Sequence, residues 1–174
     1  MIYLTTPLTK DKIKTLKAGD EVLLSGIIYT ARDAAHKRMI EMLEKKESLP
    51  FDIKDQVIYY VGPTPPREHA VIGSAGPTTA SRMDAYAPKL YDLGLAMSIG
   101  KGYRSEEVRK SIKENNAIYA LAIGGLGALL SECVKKSEVI AFSDLESEAI
   151  RKLEVENFPI TIGIDSNGNN VYEK

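Results

Sequence analysis

The chain of 174 residues holds one cysteine, Cys133. That count excludes an internal disulfide, and it excludes a metal cluster ligated by cysteines of this chain alone. Histidine is almost as scarce, with only His36 and His69. A zinc site would have to combine these with carboxylates, and no metal-ligand spacing brings them together. Neither sign of charge is in excess: 23 Lys and Arg against 24 Asp and Glu leave a formal net charge of -1. Nothing therefore points to nucleic acid or to an acidic solvating tail. No apolar run is long enough to span a membrane. The opening Met1-Ile2-Tyr3-Leu4-Thr5-Thr6-Pro7 lacks the basic and long apolar regions of a secretory signal, so the expected compartment is the cytoplasm.

What is present suffices for a folded core. The chain is 44% hydrophobic and 27% charged, as expected for one domain spanning residues 1–174. Repeats, low-complexity tracts and linkers are absent. Apolar runs rich in β-formers predict strands over 21–30, 56–61, 70–73, 95–99, 117–123, 138–142 and 159–164. Helical periodicity predicts helices over 32–46 and 105–115, and a further one from residue 83 that Pro88 kinks or divides. Asn167-Gly168 signals a tight turn near the C-terminus, which argues against a purely parallel sheet. The expected fold class is α/β, a layered domain with a mixed sheet and flanking helices.

The segment Gly76-Pro77-Thr78-Thr79-Ala80-Ser81-Arg82-Met83-Asp84 carries the most chemistry. Gly-Pro stops what precedes it, and Thr78 or Thr79 would cap a helix that follows. Thr78 and Arg82, four apart, would then share one helix face and form a site for a carboxylate or phosphate. The plainer reading is a capping threonine and an arginine that snorkels to solvent. The helix over 32–46 adds two more candidates. Its apolar stripe of Ala35, Met39, Met42 and Leu43 is continued at the N-terminal end by Arg32 and His36. A cation at a helix start is opposed by the macrodipole unless an anion is nearby; Asp33 is either a cap or a partner of Arg32. His36 is a candidate for acid–base work or a satisfied core histidine.

Ile99-Gly100-Lys101-Gly102 places Lys101 at a strand end. It is not a P-loop, and Gly124-Gly125-Leu126-Gly127 lacks the third glycine of a dinucleotide fingerprint, so nucleotide binding is disfavoured. Cys133 reads as a buried structural thiol, one of Tyr59 and Tyr60 as core, and His69 as exposed. Arg32, Arg82 and Lys101 together are three cations at strand ends or helix starts, which suits a dianionic small molecule such as a dicarboxylate. No nucleophile–base pair and no metal site accompanies them, so the chain reads as half of an active site.

These residues resemble a known family. The blocks are Ser25-Gly26 with Tyr29-Thr30-Ala31-Arg32-Asp33-Ala34-Ala35-His36-Lys37-Arg38, then Tyr60-Val61-Gly62-Pro63, Gly76 through Asp84, and Ile99-Gly100-Lys101-Gly102. In this order, and with the Leu4-Thr5-Thr6-Pro7 start, they look like the β subunit, or C-terminal domain, of iron–sulfur hydro-lyases. That family comprises class I fumarate hydratases and L(+)-tartrate dehydratases. The resemblance implies a swivelling β/β/α domain and a hetero-oligomer in which an α subunit carries a four-iron four-sulfur cluster on three cysteines. The single Cys133 agrees with that division.

The resemblance also implies that Arg32, Arg82 and Lys101 hold substrate carboxylates. Thr78 and Thr79 would line the substrate, with Thr78 near the carbon that exchanges a proton and His36 a catalytic candidate. The expected reaction is fumarate to (S)-malate, a step of the tricarboxylic acid cycle. The alternatives are a tartrate dehydratase subunit, or a non-catalytic dicarboxylate-binding module.

Overall fold

The computed structural model describes residues 1–123 and 126–173. Seven strands form one mixed sheet: β1 (Ile2–Thr5), β2 (Glu21–Thr30), β3 (Val57–Tyr59), β4 (Met97–Gly100), β5 (Ile118–Leu121), β6 (Val134–Ala141) and β7 (Ile150–Ile164). The helices are α1 (Lys10–Ile13), α2 (Asp33–Glu44), α3 (Ala87–Asp92), α4 (Glu106–Glu114) and α5 (Gly127–Glu132), with 3₁₀ turns at Ala80–Met83 and Ser143–Glu148. No helix is long and apolar enough to cross a membrane.

The strand order is β1-β2-β3-β4-β5-β7-β6, and β2 also pairs with β7. That extra pairing closes the sheet on itself through β2, β3, β4, β5 and β7. The first five strands run parallel, while β7 runs antiparallel to β2, β5 and β6. The long pair β2–β7 is the spine. Its register shifts between Leu24 and Gly26. A side chain at Gly26 is ruled out there, since φ is +110° and a Cβ would lie 2.3 Å from Thr6 Oγ1.

Successive residues of a strand point to opposite faces, and here each face has its own core. Val57, Tyr59, Met97, Ile99, Ile118 and Ala120 face inward with Leu24, Ile28, Leu153 and Phe158 of the β2–β7 spine. Ile58, Tyr60 and Tyr119 face the other way, against Ala35 and Met39 of α2, Leu90 and Tyr91 of α3, and Val108 and Ile112 of α4. Both Tyr59 and Tyr60 are therefore core, contrary to the expectation for one of them, because neither face of β3 meets solvent.

Several boundaries fall where the residues place them. The strand expected over 21–30 is β2 itself. Ser105 caps α4 by accepting a hydrogen bond from Val108 N at 3.2 Å, with Glu106 and Glu107 in the first turn. Pro88 divides rather than kinks: a 3₁₀ turn precedes it, and α3 starts with the proline in its first turn. The Asn167-Gly168 turn is held by Asp165, whose Oδ1 accepts from Asn167 N and Asn169 N at 3.0 Å. His69 is exposed.

Two expectations fail. Residues 70–73 form no strand, and 71–73 are bends. Their neighbours are tied instead to the proline-rich loop, through Thr64 N to Ser74 O at 3.1 Å and Ser74 N to Thr64 Oγ1 at 2.8 Å. Cys133 is only partly buried, packed at the margin of the first core. Desolvation pushes its thiol pKa up, so it is not an activated nucleophile.

Candidate functional site

Because β2, β3 and β4 are parallel neighbours, their carboxyl ends open on one edge of the sheet. Chain just past each end brings the predicted residues together. Arg32 follows β2, Tyr60 to Gly62 follow β3, and Lys101 follows β4. Thr78–Ala80 fills the space between the ends of β3 and β4. Thr78 N donates to Tyr60 O at 2.7 Å, Thr78 O accepts from Lys101 N at 3.3 Å, and Ala80 N donates to Lys101 O at 2.9 Å. Thr79 and Lys101 thus form a parallel β-bridge. Ligands of α/β sheets collect at such an edge.

The Gly76–Asp84 segment reaches this edge by a different local structure from the one expected. No α-helix begins at Thr78. The backbone there is strand-like, and only a 3₁₀ turn follows, without a side-chain cap from Thr79. Thr78 and Arg82 therefore do not share a helix face. The backbone N–H of Thr78 is used by the bridge to Tyr60, which removes the free donors an α-helical start would have offered.

Arg82 turns instead toward α2. Its Nε donates to Asp33 Oδ2 at 3.0 Å, and its Nη2 lies 3.0 Å from Asp33 Oδ1. Asp33 is thus the partner of Arg82, not of Arg32.

Arg32 occupies the N-cap position of α2 without capping it. The anion at this helix start is Glu148, whose Oε1 accepts from Ala34 N at 3.1 Å. The Arg32 side chain lies across the backbone of Gly62: a Cβ there would sit 2.6 Å from Arg32 Nη1 and 2.8 Å from its Cδ. Arg32 Nε is buried and has no hydrogen-bond partner among the described residues. Neither Arg32 nor Lys101 forms an ion pair among them.

His36 lies one turn further along α2 and is fully buried. Its Nδ1 is 2.8 Å from Arg32 O. A carbonyl only accepts, so Nδ1 carries the proton and Nε2 is left as an acceptor, buried and without a partner among the described residues. Burial, with Arg104 nearby, pushes the imidazole pKa down to about 4. Tyr60 meets the ring edge-on at 5.3 Å.

Arg104 escaped the sequence reading. Its side chain has no exposed surface. Nε donates to Asp84 Oδ1 at 2.7 Å, Nη1 to Ser98 Oγ at 3.0 Å and Nη2 to Tyr60 OH at 3.3 Å. Asp84 Oδ2 also accepts from Ser105 N at 2.7 Å. The available signal was Asp84 itself, a carboxylate next to an apolar helix that needs a partner.

Two cations without carboxylate partners and a third held by one side form an edge that can bind an anionic small molecule. Gly124 and Gly125 of the glycine segment lie outside the described residues.

The whole chain, residues 1–174, matches the family described as Fumarase C-terminus. It is 41% identical over its full length to a protein of Methanocaldococcus jannaschii provisionally named L(+)-tartrate dehydratase subunit beta, of which it covers 92%. It is 38% identical to fumarate hydratase 2 of Leishmania major over 95% of the chain. To the aerobic class I fumarate hydratase of Escherichia coli it is 40% identical over 87% of the chain. It spans only 29% and 28% of those two longer proteins.

Proposed function

The chain belongs to the fumarase C-terminus family, and from that membership we propose that it is the β subunit of a heteromeric hydro-lyase that interconverts fumarate and (S)-malate. The observation that carries this reading is Arg32, with a buried Nε that has no partner among the described residues, on the same edge as Arg82 and Lys101. A buried donor left unsatisfied costs stability, so its retention favours a ligand that satisfies it. A dicarboxylate supplies two anionic ends for three cations.

The residues of this chain do not fit an iron–sulfur cluster. It has one cysteine, and the described residues contain no group of three or more His, Cys, Asp or Glu that could hold a metal. We assign the cluster to a partner α subunit.

The work of this chain is electrostatic and protonic. Removing a proton beside a carboxylate builds negative charge on that carboxylate. Cations fixed before the reaction stabilise that charge more in the transition state than in the ground state. Thr78, its backbone clamped between Tyr60 and Lys101, is the proton-transfer residue or the group that positions it, with Thr79 beside it on the exposed side. His36, buried and neutral, is assigned to holding the Arg32 backbone through its Nδ1–H.

Gly62→Ala tests the placement of Arg32. The new methyl displaces the guanidinium, a flexible group, so folding is little affected. The expected result is a KM for the dicarboxylate raised about tenfold, the equivalent of about 1.4 kcal/mol. The melting temperature should change by no more than about 2 °C.

The deciding experiment is anaerobic assay of the chain alone and with its cluster-bearing partner, against fumarate, malate and both tartrate enantiomers. The chain alone should be inactive, and the complex should consume fumarate. Turnover by the isolated chain refutes the subunit reading. Preference for L(+)-tartrate would select the second reading, tartrate dehydratase, which the Methanocaldococcus jannaschii relative favours. Dicarboxylate binding without turnover in any combination would leave a non-catalytic module.

A further inference from the structure

Three of the site's elements converge on one buried guanidinium. Asp84 lies two residues after Arg82, and Arg104 lies three residues after Lys101. The Arg104–Asp84 ion pair therefore ties together the two segments that carry these cations, at the end opposite the Thr79–Lys101 bridge. Arg104 also donates to Tyr60 OH, and Tyr60 O is the acceptor for Thr78 N. The guanidinium lies over the Tyr60 ring at 5.2 Å and the Tyr119 ring at 4.8 Å. Ser98, its remaining partner, is bound in turn by Tyr91 OH at 2.6 Å.

A charge taken out of water at this depth is costly. Here its three hydrogen bonds and two ring contacts all go to Asp84, Ser98, Tyr60 and Tyr119, and the side chain has no exposed surface. Without Arg104, the Asp84 turn and the chain after Lys101 would be joined only by the short Thr78–Lys101 pairing.

We propose that Arg104 is a positioning residue, a clamp that fixes the separation of Arg82, Thr78 and Lys101 so that both carboxylates of a dicarboxylate are met at once. The clamp is a property of the fold, whereas its effect on turnover rests on the hydro-lyase reading. Arginine is required because Asp84, Ser98 and Tyr60 are met by three different nitrogens of one plane, whereas the three donors of an ammonium radiate from a single atom.

The test uses Arg104→Met, Arg104→Lys and Asp84→Asn in the full chain, with two readouts. Amide exchange at Ala80 and Lys101 reports the clamp whatever the reaction is. Both amides should exchange at least about tenfold faster in all three variants, with the amides of the β2–β7 spine unchanged. In the complex with the partner, KM for the dicarboxylate should rise about tenfold or more, with a smaller change in kcat. Arg104→Lys should not restore it. Should Arg104→Met fail to fold, Asp84→Asn decides, since it leaves the side-chain volume intact. Unchanged exchange at Ala80 and Lys101 in a folded variant overturns the clamp, and so does an unchanged KM in an active complex. A wild-type complex without hydro-lyase activity would refute the functional reading alone, and the exchange result would still judge the clamp.

Discussion

Arg82→Ala, assayed in the complex with the partner subunit, lowers kcat/KM on the order of 10²-fold and hardly changes thermal stability. The two effects separate because of where Arg82 sits. Its side chain is 49% exposed and its Asp33 partner 36% exposed. An ion pair in that setting is worth about 1 kcal/mol or less to folding. In the proposed complex the same guanidinium would face the reacting carboxylate, where a lost charged contact costs about 3 kcal/mol. Asp33 holds Arg82 by one hydrogen bond to Nε and by charge at Nη2. Asp33→Asn should therefore lower activity less than Arg82→Ala, because it weakens that hold without removing the guanidinium. An unchanged kcat/KM in Arg82→Ala removes this residue from the site.

Acidification from pH 6.5 to pH 4 should cost roughly 3 kcal/mol of folding stability through His36 alone. The folded imidazole has its pKa pushed down to about 4 by burial, against about 6.5 in the unfolded chain. Between those values the unfolded chain binds a proton that the folded chain does not. Stability therefore rises with pH across that window. The contribution is complete above pH 6.5 and is lost as pH falls toward the folded value. Urea unfolding from pH 4 to 7.5 on wild type and His36→Gln isolates it. The variant should be less stable at pH 7 but should lack this slope, and parallel curves would show that His36 is not buried in the neutral form.

The sequence exposed the parts of this structure that depend on short stretches of chain. The β2 strand, the capped helix after Ser105 and the Asn167-Gly168 turn follow from local pattern and chemistry. The places of Arg32 and Lys101, just past the ends of β2 and β4, were legible for the same reason. Long-range features were not legible. The closure of β7 onto β2 and the two-sided core that buries both Tyr59 and Tyr60 depend on partners more than a hundred residues away or on both faces of a sheet.

The Gly76–Asp84 segment shows the difference most clearly. Its residues pointed to an anion site, and the fold sets them beside Tyr60 and Lys101, at the carboxyl ends of β3 and β4. Its local structure was misjudged because the Thr79–Lys101 bridge captures backbone that would otherwise start a helix. Arg104 went unseen because its partners Tyr60, Asp84 and Ser98 come from three separate stretches, and nothing in its own neighbours marks it as buried.

The central claim is that the carboxyl ends of β2, β3 and β4 hold the two carboxylates of a substrate. A crystal structure of the complex with succinate, a dicarboxylate that cannot undergo the reaction, tests it most directly. Carboxylate oxygens should lie within about 3 Å of the Arg32 and Arg82 guanidinium groups and of Lys101 Nζ. Succinate bound elsewhere, with these three side chains turned to solvent, would contradict it.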